Sequence, residues 1–227
     1  MSRRARLVIP GVPLHIIQRG NNRHACFLAD RDYLVYLSML QACASLAHCT
    51  IHAYVLITNH VHLLVTPASS NSPGQLMKAL GQRYVQYINR RYGRTGTLWE
   101  GRFRSCIVDD ERYFLICQRY IELNPVRAKM VDHPRQHPWS SYRANAEGVS
   151  DQLLTPHHLY LLLAHESAER QAVYRDLFRD ELPSEELEFI RRATNGNFAL
   201  GDARFVRHAA DVLAQYVEPR RAGRRRS

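Results

Sequence analysis

Apolar positions recur along the chain at two spacings. Residues 51–66 read IHAYVLITNHVHLLVT, with aliphatic and β-branched residues dense at 54–57 and 61–65 and Thr58 and Asn59 between them. This pattern predicts two strands joined by a tight connection, or one bent strand. An earlier run, LHIIQ at 14–18, predicts a first strand, and RGNNR at 19–23 follows as a turn. From Asp30 or Asp32 to about His48 the spacing changes to three and four: Tyr33, Leu34, Leu37, Leu40, Gln41 and Ala44 form one helical stripe. A second helix runs from Pro73 or Gly74 to Gly93, with Leu76, Leu80, Tyr84, Tyr87 and Ile88 on one side. Residues 103–108 read as a last strand. Asp109 or Asp110 then caps a third helix over 110–124, with Asn124 at its end before Pro125.

The order strand, helix, strand, strand, helix, strand, helix predicts an α+β fold. It is the ferredoxin-like split βαβ pattern, an antiparallel sheet with helices on one face and the other face open. Residues 1–145 form the compact unit. Residues 146–218 read as a helical C-terminal extension, with LYLLLA as the apolar core of a helix within 151–178 and SEELEFIRRA as another helix. Residues 219–227 read as a basic, disordered tail.

Composition narrows the class. Of 227 residues 45% are hydrophobic, enough for a packed core. No run is long enough to span a membrane, and the N-terminus lacks the apolar segment of a signal peptide, so a cytoplasmic protein is expected. Five cysteines without a CxxC pair suggest free buried thiols. The net charge is +10, carried almost wholly by arginine, with Lys78 and Lys129 the only lysines. Arginine offers a planar fork of donors suited to phosphate, so nucleic acid or an anionic membrane surface is the expected partner. Candidate contacts are Arg4 in the N-terminal arm, Arg19, Asn21 and Arg23 in the first turn, Arg83 on the second helix, Arg127, and a loop that interleaves Arg94, Arg102 and Arg104 with Trp99 and Phe103. Bases stack on aromatics while guanidinium groups hold phosphates. Trp99 also suits a plug at the edge of the core.

The candidate chemistry begins at His60 and His62. Residues i and i+2 of a strand share a face, so both imidazoles point one way while Val61 and Leu63 turn into the core. Two such histidines can supply two nitrogen ligands to a divalent ion. Tyr120 and Asn124 lie four apart on one helical face. If that helix crosses the sheet near the histidines, Asn124 adds an amide oxygen and Tyr120 a phenol. Mixed nitrogen and oxygen donors suit Mg²⁺ or Mn²⁺. Glu122 is held in reserve as an extra ligand or base.

These residues carry a resemblance. His60-Val61-His62 followed by Tyr120 in RYIELNPVRA (119–128) resembles the single-tyrosine HUH transposases of the IS200 type, and more closely their REP-associated tyrosine transposase branch. The stretches PGVPLHIIQRGNNR (10–23), YVLITNHVHLLV (54–65), GRTGTLWEGRFRS (93–105) and WSSYRA (139–144) extend the likeness over most of residues 10–144, and NGNFALGDARFVR (195–207) continues it. The resemblance implies that His60, His62 and Asn124 are metal ligands and that Tyr120 is the nucleophile. It implies a 5′-phosphotyrosine intermediate and a free 3′-OH. The implied substrate is single-stranded DNA bearing a palindromic hairpin, with no membrane and no small-molecule substrate; the implied enzyme nicks and rejoins it, as a monomer or homodimer. The residues alone leave three rivals: a non-catalytic single-strand or hairpin-binding module, a metal-dependent nuclease using water, and a helix-turn-helix regulator built on 184–216.

Overall fold

The computed structural model describes residues 6–109, 111–214 and 217–218. The chain forms β1 (Leu14–Arg19), α1 (Asp30–Leu46), β2 (Cys49–Ile57), β3 (His60–Pro67), α2 (Ser72–Tyr92) and β4 (Arg104–Val108). It continues through α3 (Phe114–Glu122), α4 (Asn124–Arg127), α5 (Tyr142–Glu147), α6 (His158–Leu161), α7 (Ser167–Asp176) and α8 (Ser184–Gly196), and ends in β5 (Ala199–Leu200) and α9 (Ala203–Leu213). The strands lie in the order β2-β3-β1-β4-β5. β1 pairs antiparallel with β3 and β4, and β2 with β3. The first four strands and their two helical crossovers make the expected ferredoxin-like α+β sheet. The C-terminal extension adds a short fifth strand, parallel to β4.

Thr58 and Asn59 form the turn between β2 and β3, so the hairpin reading holds over the bent strand. The first turn locks against it. Gly20 N–H donates to Asn59 O at 2.8 Å. A side chain at Gly20 would bring its Cβ to 2.3 Å from the His24 carbonyl, so only glycine fits there.

Side-chain alternation divides the sheet into two faces. Leu14, Ile16, Tyr54, Leu56, Val61 and Leu63 share one core with α1 and α2. Within α1 the buried stripe takes Tyr36 and Cys43, while Leu34 faces solvent. The expectation of an open second face needs correction. α3 and α8 lie on it, where Val55, Leu64, Cys106 and Val108 pack with Phe114, Cys117, Ile121 and Ile190. The cause is legible in the strands themselves: the central ones are apolar on both sides, so both faces must be covered. Each fully buried Leu or Ile side chain contributes about 1.5–3 kcal/mol.

Two further helical expectations change. The LYLLLA stretch contributes only the single turn α6; Leu161 and Leu162 are exposed, while Tyr160 is buried and Leu159 and Leu163 pack in part. The third helix divides at Leu123, whose helical backbone leads directly into α4. Asn124 therefore opens a second helix, and Pro125 stands in its first turn, where a missing N–H costs nothing. Asp109 Oδ1 accepts from Glu111 N–H ahead of α3, whereas Asp110 and the basic residues 219–227 lie outside the described residues. All five cysteines are free and buried. No helix among the described residues is long and apolar enough to cross a membrane.

Glu122 ties α3 to the extension. Its buried carboxylate accepts from Ser141 Oγ at 2.6 Å, Asn145 Nδ2 at 2.8 Å and Tyr174 Oη at 2.7 Å. Burial outweighs these donors and pushes the carboxyl up from its ordinary 4.5 to about 7. Between those values the folded chain holds a proton that the unfolded chain has released, so stability falls as pH rises through the window. Glu122→Gln has no such slope. Urea unfolding at pH 5 and pH 8 is expected to move stability toward the variant, relative to wild type, by about 2–3 kcal/mol across that interval; a difference independent of pH would mean an ordinary carboxyl.

Candidate active site

The second face of the sheet carries the candidate chemistry. β3 projects His60 and His62 there, with Val61 and Leu63 buried on the other side. The imidazole centroids are 5.1 Å apart. α3 and α4 cross above them. Asn124 Nδ2 lies 2.9 Å from His62 Nε2, and the Tyr120 ring stands edge-on to His62 with centroids 5.9 Å apart. All four line a cavity of about 260 Å³ together with Arg19 and Arg127. Arg127 caps the tyrosine: its guanidinium carbon is 3.9 Å from the ring centre, and its Nη1 donates to Tyr120 O at 2.8 Å.

Burial keeps the imidazoles neutral. It lowers His60 to about 4, aided by the nearby Arg19 charge, and drives His62 well below its ordinary value. A neutral imidazole is the form that binds a metal. Among the described residues no group of three or more His, Cys, Asp or Glu side chains is placed to hold an ion. The donor set is thus two neutral imidazoles and one carboxamide. That set fits a divalent ion whose other positions are taken by phosphate oxygen and water, as Mg²⁺ and Mn²⁺ accept, and does not fit a closed structural zinc site.

The arginines divide between places. Arg19 and Arg127 line the site. Arg102 and Arg104 line an adjoining cavity of about 430 Å³, which shares Ile17, Arg19 and Asn195 with the first. Asn21 and Arg23 are exposed in the first turn, with the Arg23 carbonyl accepting from Asn59 Nδ2 at 3.0 Å. Arg83 belongs to α2, on the face opposite the histidines, and donates to Cys43 Sγ. Arg94 follows α2 and lines neither of the two cavities. Arg4 lies outside the described residues.

Two sequence expectations are corrected. Trp99 offers no exposed ring for stacking: it is 5% exposed, packed near Tyr36 and Tyr84, because apolar area of that size is worth most in the core. Glu122 is no ligand or base here, because its carboxylate is consumed by Ser141, Asn145 and Tyr174.

The sequence reading missed His15 on β1 and Arg191, Thr194 and Asn195 on α8. His15 Nε2 is 2.8 Å from His62 Nδ1, and the other three line the histidine cavity. A polar residue inside the apolar run LHIIQ was the available signal for His15. Asn195 opens the NGNFALGDARFVR stretch that continues the resemblance, whereas nothing local marks Arg191 or Thr194.

This fold and site define a class. Residues 9–124, just over half of the chain, match the family described as IS200-like transposases, and the chain belongs to that family. Among solved structures, it is similar to a REP-associated tyrosine transposase bound to a REP hairpin. The two share 20% identity and a TM-score of 0.53, over 69% of this chain and 93% of that one. A candidate transposase from Deinococcus radiodurans R1 aligns at 20% identity and a TM-score of 0.38, over 53% of this chain and 96% of that one. No curated protein matches.

Arg127 gives the first test of the site's architecture. Arg127→Met removes a charged hydrogen bond and a cation–π contact, and is expected to lower stability to urea by about 1.5–3 kcal/mol. A variant as stable as wild type would mean that the guanidinium is not seated on the ring.

Proposed function

We propose that the chain is a metal-dependent single-stranded DNA endonuclease and strand transferase of the REP-associated tyrosine transposase branch, acting on DNA that carries a palindromic hairpin. One observation carries the reading: Tyr120, His60, His62 and Asn124 meet in one cavity, and a groove lined by Arg102 and Arg104 leads into it. The family membership and the sequence motifs support it. So does the fold shared with the hairpin-bound relative.

His60, His62 and Asn124 would hold Mg²⁺ or Mn²⁺. The ion's chemistry is to polarise the scissile phosphate and stabilise charge on its oxygens. The chain's own groups do the rest. Tyr120 Oη attacks phosphorus and loses its proton; the P–O3′ bond breaks, and the departing 3′-oxygen gains a proton. The product is a 5′-phosphotyrosine and a free 3′-OH. The phosphoester keeps the linkage energy, so a second 3′-OH can rejoin the strand. Arg127 and Arg19 place positive charge where the phosphate must lie. The arginine groove binds backbone without reading sequence. His60, His62, Asn124 and Tyr120 of one chain would serve one cavity, in a monomer or a homodimer. In this reading residues 1–145 form the catalytic unit, and the extension completes it by lending Arg191, Thr194 and Asn195 to the cavity wall. A DNA substrate of this kind places the protein with the nucleoid.

Labelled single-stranded hairpin DNA with Mn²⁺ tests the chemistry. Wild type is expected to yield a covalent protein–DNA band on a denaturing gel. Tyr120→Phe should bind the DNA within about twofold of wild type and give no adduct. Cleavage that survives in Tyr120→Phe would point to water as nucleophile, and binding without any cleavage by wild type to a recognition module. Arg102→Ala with Arg104→Ala should weaken binding and reduce the slope of log affinity against log salt by about 1.4–1.8, at roughly 0.7–0.9 for each phosphate the variant leaves unneutralised.

A further inference from the structure

His15 and Thr194 stand behind the histidine pair and touch neither the cavity's phenol nor its carboxamide through a hydrogen bond. Both side chains are almost wholly buried. Thr194 Oγ1 has one proton, and its shortest contact takes it: the hydroxyl donates to the Ile190 carbonyl one turn back, at 2.8 Å, with Cys106 Sγ a further neighbour at 3.3 Å. Towards His15 Nδ1, 3.0 Å away, Thr194 Oγ1 is therefore an acceptor, and His15 carries its proton on Nδ1. A neutral imidazole has one N–H, so His15 Nε2 is a bare lone pair. It faces His62 Nδ1 at 2.8 Å, which makes His62 Nδ1 the donor and leaves His62 Nε2 bare. The far end of the chain agrees. Asn124 meets His62 Nε2 with its NH₂ group, a donor that needs an acceptor there. His60 is set the same way by a separate partner. Asn59 commits its Nδ2 to the Arg23 carbonyl, so its Oδ1 accepts from His60 Nδ1 at 2.7 Å and His60 Nε2 is bare.

We propose that His15 and Thr194 are positioning residues that fix the tautomer and ring plane of His62, keeping its Nε2 unprotonated and turned into the cavity beside Asn124, so that helix α8 of the C-terminal extension sets the readiness of the metal site. The two rings are nearly coplanar, with planes 12° apart and centroids 5.1 Å apart, so the hydrogen bond that holds the proton also holds the ring plane. Partners of this kind behind a ligating histidine raise metal affinity because the ligand is already in the binding tautomer. Thr194 is 179 residues from His15, so the device exists only when α8 is docked on the sheet.

The tautomer half of the proposal stands on the metal-free protein, and the affinity half rests on the metal reading above; the experiment separates them. Long-range ¹H–¹⁵N spectra of metal-free protein at pH 7.5 are expected to place the ring proton of both His15 and His62 on Nδ1. Thr194→Val removes the acceptor and should shift His15 and His62 into mixtures of both tautomers and weaken Mn²⁺ binding about tenfold. Thr194→Ser, which keeps the hydroxyl, should restore both. His15→Leu, which leaves Thr194 intact, should free the His62 tautomer in the same way and covers the case in which Thr194→Val does not fold. A wild-type spectrum with the His62 proton on Nε2 overturns the proposal, as does a folded Thr194→Val or His15→Leu with the His62 tautomer unchanged. If wild type keeps the predicted tautomers but binds no Mn²⁺, the metal reading fails and the relay stands.

Discussion

The pleat of β3 is the constraint on which the rest depends. Alternate side chains must face opposite ways, so Val61 and Leu63 anchor the strand in one core while His60 and His62 are fixed on the other face. A register slip of one residue would turn the imidazoles into the core against α1 and α2 and put the apolar pair in the cavity. The ladder to β1 prevents that slip and brings His15 beside His62. The strand is thus both a packing element and a mount: rigidity for the chemistry comes from hydrophobic burial behind it.

The second face had to be covered, and its cover carries the remaining groups. α3 and α4 lie across the imidazoles because their apolar residues Phe114, Cys117 and Ile121 pack on Val55 and Val108. That packing delivers Tyr120 and Asn124 to the cavity. The helical backbone at Leu123 keeps the two on one side although Pro125 follows directly. α8 completes the layer and supplies the wall nearest His15. Burial then does electrostatic work as well: it keeps the imidazoles uncharged beside Arg19 and Arg127, so positive charge in the cavity comes from guanidinium groups alone.

Charge is distributed by the same packing. The arginine excess divides between a groove that adjoins the tyrosine, a structural guanidinium over the Tyr120 ring, and α2 on the far side of the sheet. Net charge alone points to a polyanion; in the proposed reading the groove beside the tyrosine is where it would enter.

The sequence by itself determined what local periodicity encodes. The two-residue period of β3 put the histidines on one face, the four-residue interval put Tyr120 with Asn124, and the strand–helix order gave the sheet topology. The motifs were enough to point to the family. Tertiary structure decided whatever depends on a partner distant in the chain. Trp99 went to the core because Tyr36 and Tyr84 were there to receive it. Glu122 left the site because Tyr174, Ser141 and Asn145 closed on it. Arg83 was carried to the opposite face by α2. Thr194 and Asn195 reached the site because the sheet's apolar second face needed cover. Local pattern specifies which way a side chain points from its own element. What it meets there is set by packing between elements, which no short-range period records.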